Sequence, residues 1–229
     1  MAKFRGFPPQ TLQFLENLGS HNEKAWFQAH RNEYEEYYLE PAMAFVTALG
    51  ERLTALRPEI SAIPKINGSI FRINRDVRFS KDKRPYKDHI DLWFWEGADR
   101  KQGSSGFFFR LLHDRVMLGA GIHGFPKEQL ARFREAAADD ESGAALAAIS
   151  KRLNKAGYPL QGQSYKRVPR GYDPDHPRAD LLRHGALHAG STLEPLPDEL
   201  HSAKFVGLCV RHFKKLVPLH GWLVDQLRT

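Results

Sequence analysis

Seven basic side chains stand between Arg72 and Lys87: Arg72, Arg75, Arg78, Lys81, Lys83, Arg84 and Lys87. Only Asp76 and Asp82 oppose them, a local excess of +5 in a chain whose formal net charge is +7. Arginine offers a planar fork that grips two oxygens at once, and lysine a mobile point charge. With the hydroxyls of Ser80 and Tyr86, this set has the donors that a phosphate or carboxylate requires. The candidate anion-binding residues are Arg72, Arg75, Arg78, Ser80, Lys81, Lys83, Tyr86 and Lys87. The competing reading is a solvated loop in which Asp76 and Asp82 each hold one arginine, a pairing worth about 0–1 kcal/mol. Two such pairs leave five cations without a carboxylate.

A second stretch, YKRVPRGYDPDHPRADLLRH from Tyr165 to His184, carries other chemistry. Asp173, Asp175 and His176 put two carboxylates and an imidazole within four residues, enough for a general base with an orienting acid. Asp76, Asp175 and His176 are therefore the candidate catalytic proton carriers, and Arg170 is a further candidate for anion binding. The same residues also suit turns, because the side chain of an Asp before Pro bonds back to the loop backbone. No second ligand cluster accompanies them, so no metal is expected. His184 and His188 are four apart with Gly185 between them and no intervening Glu, which is not a zinc-protease signature.

Gly119, Gly121 and Gly124 spell G-x-G-x-x-G. That motif signals a dinucleotide site only inside a parallel strand–helix–strand unit. Here it follows the hairpin pattern GFFFRLLHDRVMLGAGIHG, so small residues that let a strand turn into a helix are the better account. Nucleophile elbow, Walker loop, paired C-x-x-C and kinase signatures are absent, and nothing in the sequence identifies a cofactor.

The chain has 229 residues, 41% of them hydrophobic, enough for a core without disulfides. Cys209 is the single cysteine. It sits in the apolar run FVGLCVRHF, which suits a buried residue in a reducing cytoplasm. The start lacks the apolar run of a signal peptide, and no run reaches the roughly 18 residues that a span requires, so no membrane association is expected. A pI near 9.5 fits anionic small molecules or nucleic acid without choosing between them.

These residues need a scaffold, and its pattern is legible. Leu12, Leu15 and Leu18 mark a helix ending at Gly19, and Ser20 with Glu23 has the spacing of a capping box for the next. Trp26, His30, Tyr34 and Tyr37 or Tyr38 continue a stripe to Pro41, a break or a fresh first turn, followed by Phe45, Leu49, Leu53 and Leu56. Ile70, Phe71 and Ile73 lead into the basic loop as strand, and His89 to Trp95 alternate out of it. Phe107 to Phe109 read as an interior strand turning back at His113-Asp114. Helices are expected at Pro126 to Ala138 and Gly143 to Lys155, separated by Asp139 to Ser142, and Gly157 stops the second. A strand from Ala186 to Leu193 and helices broken at Pro218 close the chain. The expectation is one α+β domain spanning 1–229: a mainly antiparallel sheet covered by an N-terminal helical layer, with further helices toward the C-terminus.

Four passages, HNEKAWFQAHRNEYEEYYLEPA, SIFRINRDVRFSKDKRPYK, GAGIHGFP and YKRVPRGYDPDHPRADLLRH, resemble the conserved hypothetical proteins grouped as domain of unknown function 2461. The resemblance covers nearly the whole chain. His21 stands where that family more often has an asparagine. The resemblance implies a mainly bacterial, single-domain cytosolic protein and implies no activity. It suggests that the basic motif and the Pro-Arg-Gly-Tyr-Asp loop belong together.

The reading with most support is a site for a phosphorylated or otherwise anionic small ligand. It would lie where the segment Arg72–Lys87 meets the loop Arg170–His176. The alternatives are a nucleic-acid binding module and a purely structural ion-pair network.

Overall fold

The computed structural model describes residues 3–97 and 103–227. Helix α1 (Pro9–Ser20) opens the fold, followed by α2 (Lys24–Ala29), α3 (Arg31–Glu33) and α4 (Glu40–Thr54). Strands β1 (Ile60–Ser61), β2 (Ile90–Glu96), β3 (Gly106–Leu111) and β4 (Val116–Ile122) come next, then α5 (Lys127–Ala138) and α6 (Asp140–Lys155). The rest is β5 (Leu160–Gln163), α7 (Ala179–Leu182), β6 (His184–Leu193) and α8 (Lys204–Leu227). The six strands hydrogen-bond in the order β1-β2-β3-β4-β6-β5 as an antiparallel sheet, so the fold is α+β.

The chain divides into two compact units. The first comprises residues 1–94, 108–118 and 192–211, and the second residues 95–107, 119–191 and 212–229. In the first, aromatic rings carry the core: Phe45 meets Phe109 of β3 at 4.9 Å and Phe4 at the same separation, and Phe7 meets Phe45 at 5.2 Å. The expected helical layer thus packs on the strand through rings that each bury large apolar area. In the second, Phe107 of β3 faces Phe213 of α8, and Phe133 of α5 packs against Phe125 and Trp222.

Several local expectations need correction. Ser20 is the last residue of α1 and Glu23 precedes α2 with no side-chain cap, so the capping-box spacing is not used. Of the two roles expected for Pro41 the fresh first turn is realised and the break is not: a π-helical stretch, Tyr34–Leu39, joins α3 to α4, and Pro41 falls in the first turn of α4, where its missing N–H is tolerated. Helix α6 begins at Asp140, because Asp139 accepts the N–H groups of Glu141 and Ser142 and so turns the expected linker into a first turn. Pro218 lies inside the unbroken α8. Burial of Phe213, Leu216, Leu219 and Leu223 around it outweighs the roughly 3 kcal/mol that an interior proline costs.

Gly121 has φ +135°, and an added Cβ would lie 2.2 Å from the Leu187 carbonyl oxygen. The glycine motif is thus a close strand–strand approach in an antiparallel setting.

Candidate functional site

The basic segment is a ribbon pinned to β2. Phe71 N–H donates to the Asp91 carbonyl, Lys87 N–H to Ile73 and Arg75 N–H to Pro85, with isolated bridges at Ile70–Leu92 and Asn74–Tyr86. Ile70, Ile73 and Tyr86 are buried along it. The lead-in is therefore a run of single bridges and not the continuous strand its alternation suggests.

Asn22 clamps the ribbon. Its amide donates to the Tyr86 carbonyl at 3.0 Å and accepts the Tyr86 N–H at 2.9 Å, while the Tyr86 ring stacks on Phe27 at 4.3 Å. Tyr86, a candidate anion ligand by sequence, is a core residue.

Within the loop a D-x-R pattern repeats. Asp76 accepts the backbone N–H of Arg78 and both ends of its guanidinium, at 3.0 and 2.7 Å. Asp82 accepts the backbone N–H and Nε of Arg84, and also Arg75 Nη1 at 2.8 Å. Arg75 donates further to the Arg84 carbonyl, and Lys83 to the Val77 carbonyl. The bond from Arg78 holds the Asp76 carboxyl at about 2, and Arg84 draws Asp82 below the ordinary carboxylate range. Asp76 is ionised at neutral pH and serves as an acceptor, not as a proton donor. Arg75, Arg78 and Arg84 are occupied within the loop, Ser80 is half-buried, and Lys81 is exposed.

At the foot of the ribbon a different cluster forms. Asp91 on β2 is 5% exposed. Its carboxylate receives Arg110 of β3 through Nε at 2.6 Å and Nη2 at 3.0 Å, His89 Nε2 at 3.2 Å, and Lys87 Nζ at 3.5 Å. His89 Nδ1 meets Asp88 at 2.9 Å, and the buried Tyr38 hydroxyl donates to the His89 carbonyl. Burial raises the Asp91 carboxyl, but the bonds from His89 and Arg110 outweigh it and bring it to about 2. Burial also works against charge on His89, and its two carboxylates override this and raise its pKa. Lys87 is lowered, by burial first, with Arg110 and Arg72 adding to the effect against the pull of Asp91. Its ammonium lies 4.9 Å from the Phe71 ring centre. Arg72 is exposed and close enough to Lys87 and Asp76 to act on both electrostatically.

One buried carboxylate therefore anchors Arg110, Lys87 and His89, and Arg72 stands near with no carboxylate in ion-pair contact among the described residues. Arg110 keeps Nη1 unspent among the described residues. Sequence reasoning found Arg72 and Lys87 but missed Arg110, Asp91, Asp88 and His89. The alternation of Asp91 against Ile90 and Leu92 was visible, whereas its pairing with Arg110, 19 residues away, was not.

The second stretch belongs to the second unit. Asp173 accepts the Asp175 N–H at 2.9 Å, His176 N–H donates to the Asp173 carbonyl, and His176 Nδ1 accepts the Arg178 N–H at 3.1 Å. These are turn bonds, and Arg170 and Asp175 are exposed. Arg178 closes the loop on α5, donating to the carbonyls of Ala137 and Ala138 and pairing with Asp140. No group of three or more possible metal ligands occurs among the described residues. His184 uses Nδ1 to donate to the carbonyls of Asp180 and Leu181. The His188 ring lies 4.4 Å from that of His123, and burial, then the neighbouring His123 and His184, brings it to about 4.

A further set escaped the sequence. Glu96 and Ser105 bond the two nitrogens of His220 at 3.0 and 2.8 Å, with all three residues buried. Residue types match a hydrolytic triad, but a fully buried imidazole meets no substrate. The set ties Glu96 at the end of β2 and Ser105, just before β3, to His220 of α8 inside the second unit.

An α+β fold with a cation cluster gathered on a buried carboxylate of β2 describes the class of protein. The chain belongs to the family of conserved hypothetical proteins DUF2461, whose profile matches residues 10–222. No curated protein and no solved structure matches it. Among the described residues no helix is long and apolar enough to cross a membrane.

Proposed function

We propose that the protein binds a phosphorylated or otherwise anionic small ligand at the foot of the ribbon, through Lys87, Arg110 and Arg72. The observation that carries this reading is the sharing of the single Asp91 carboxylate among Arg110, His89 and Lys87. The anchor fixes Arg110 of β3 and Lys87 of the ribbon on one carboxylate and leaves their charge undercompensated. Preorganised donors bind an anion without the ordering cost that a mobile lysine tail carries. His89 imidazolium adds a further positive charge at lower pH.

Arg75, Arg78 and Arg84 have a different role: with Asp76 and Asp82 they shape the loop. This second reading is favoured by the repeated D-x-R bonds. The buried Cys209 supports a reducing, cytoplasmic setting.

The test is thermal unfolding with phosphate, sulfate, sugar phosphates, nucleotides and citrate at low salt. A ligand at a hundred times its dissociation constant stabilises by about 2.7 kcal/mol. Lys87→Gln and Arg72→Gln should remove most of the shift, and Arg78→Gln should keep it. Absence of any shift across the panel, or equal loss with Arg78→Gln, refutes the assignment.

A further inference from the structure

Phe79, at the tip of the loop, is 95% exposed, far more than any other large apolar side chain described. The Arg78 guanidinium lies 5.8 Å from its ring centre. Lys81 and Lys83 lie two and four residues after Phe79, exposed and without a carboxylate partner among the described residues, since Lys83 bonds only a carbonyl. Nearer the foot, Phe71 is 37% exposed and adjoins the uncommitted Arg72. The ribbon thus carries two stations, each pairing an accessible ring with cations that the loop's own carboxylates do not consume.

We infer that this ribbon is a docking surface for single-stranded nucleic acid, with bases stacking on Phe79 and Phe71 while Lys81, Lys83 and Arg72 meet phosphates. The chemistry is sequence-tolerant, because every base has a π-face and the cations read only the backbone. A small anion would use the cations and leave Phe79 idle. A duplex, whose bases are already stacked, would not use the rings either. Phe79 touches the loop through Arg78 and is otherwise exposed, so its ring is open to a flat apolar partner beside negative charge. The inference goes beyond the small-ligand site through Phe79, Phe71, Lys81 and Lys83, and shares only Arg72 with it.

The experiment is fluorescence anisotropy of the full chain with a labelled fifteen-nucleotide oligothymidylate and its duplex, at salt from 50 to 300 mM. Three phosphate-facing cations give a log–log salt slope of about −2 on single strands. Phe79→Ala should weaken binding about tenfold with that slope unchanged, as expected for one lost stacking contact. Phe79→Trp should restore or improve it. Lys81→Gln with Lys83→Gln should flatten the slope by about 1.4. Circular dichroism and unfolding of Phe79→Ala should match the unsubstituted protein, since nothing packs on the ring beyond Arg78. No binding at 50 mM salt, equal binding of Phe79→Ala, equal affinity for duplex, or binding to vesicles of phosphatidylglycerol in place of the oligonucleotide each overturns the inference. The phosphate-induced thermal shift is read with Lys87→Gln, and oligonucleotide binding with Phe79→Ala and the two lysine variants, so either result can fail alone.

Discussion

Asp91 is the residue on which the candidate site turns. Removing it leaves Arg110, Lys87 and His89 facing one another in a partly buried place, and breaking such an arrangement by deleting one partner is strongly destabilising. Asp91→Ala should cost about 3 kcal/mol in urea unfolding; a loss below about 1 kcal/mol would show that water replaces the carboxylate easily. The titrations give a sign as well. His89 is raised above its ordinary value, so its contribution is complete below about pH 6.5 and is lost as pH rises through its folded value. Asp91, at about 2, contributes fully above about pH 4 and loses that contribution as pH falls toward 2. His188, at about 4, favours the folded state above about 6.5 and withdraws that support between 6.5 and 4. Unfolding free energy of His89→Gln, compared with the unsubstituted protein across pH 5 to 9, should show a deficit that shrinks as pH rises. A deficit independent of pH would assign His89 to packing alone.

Among the elements, the ribbon is held by contacts that lie far apart in the chain. Asn22 satisfies both backbone groups of Tyr86, so Asn22→Ala strands a donor and an acceptor that are both part-buried. A cost of about 2 kcal/mol is expected in thermal unfolding, together with faster amide exchange across residues 71–88. Intact protection there would mean that the bridges to β2 suffice. The glycine motif yields a second prediction at this scale. Gly121→Ala places a Cβ against the Leu187 carbonyl at a φ that side chains avoid, and should cost about 3 kcal/mol without altering affinity for any nucleotide. Weakened binding of a dinucleotide by the folded variant would revive the phosphate-loop reading of Gly119 to Gly124.

For the molecule as a whole, net charge and local charge need separating. A chain at +7 attracts polyanions without any built surface. Lys151 on α6 is exposed and remote in sequence from the ribbon, so Lys151→Gln removes the same formal charge as Lys81→Gln. If the ribbon is the surface, oligonucleotide affinity measured by anisotropy should fall with Lys81→Gln and stay unchanged with Lys151→Gln. Equal losses would attribute the attraction to overall charge. The two compact units add a constraint. Arg170, Asp175 and His176 lie in the second, whereas Arg72 to Lys87 lie in the first.

What the sequence by itself determined were the features written in short-range pattern. Period-two alternation marked β2, helical spacing marked α1 and α4, the charge excess marked the ribbon, and the hairpin pattern before the glycine motif marked its antiparallel setting. The Asp173-Pro174 step and the His176-Pro177 step after it likewise disclosed a turn, because an Asp side chain reaches its own backbone two residues on. Only the tertiary structure decided which cations are spent and which remain. Arg78 and Arg84 are consumed by acids two residues away, whereas Lys87 and Arg72 gain their setting from Arg110 and Asp91 on neighbouring strands. The hydrogen bonds of Asn22 with Tyr86 and of Glu96 and Ser105 with His220 join residues more than sixty positions apart. No local propensity encodes such pairings, since they form only once hydrophobic burial has brought the strands and helices together.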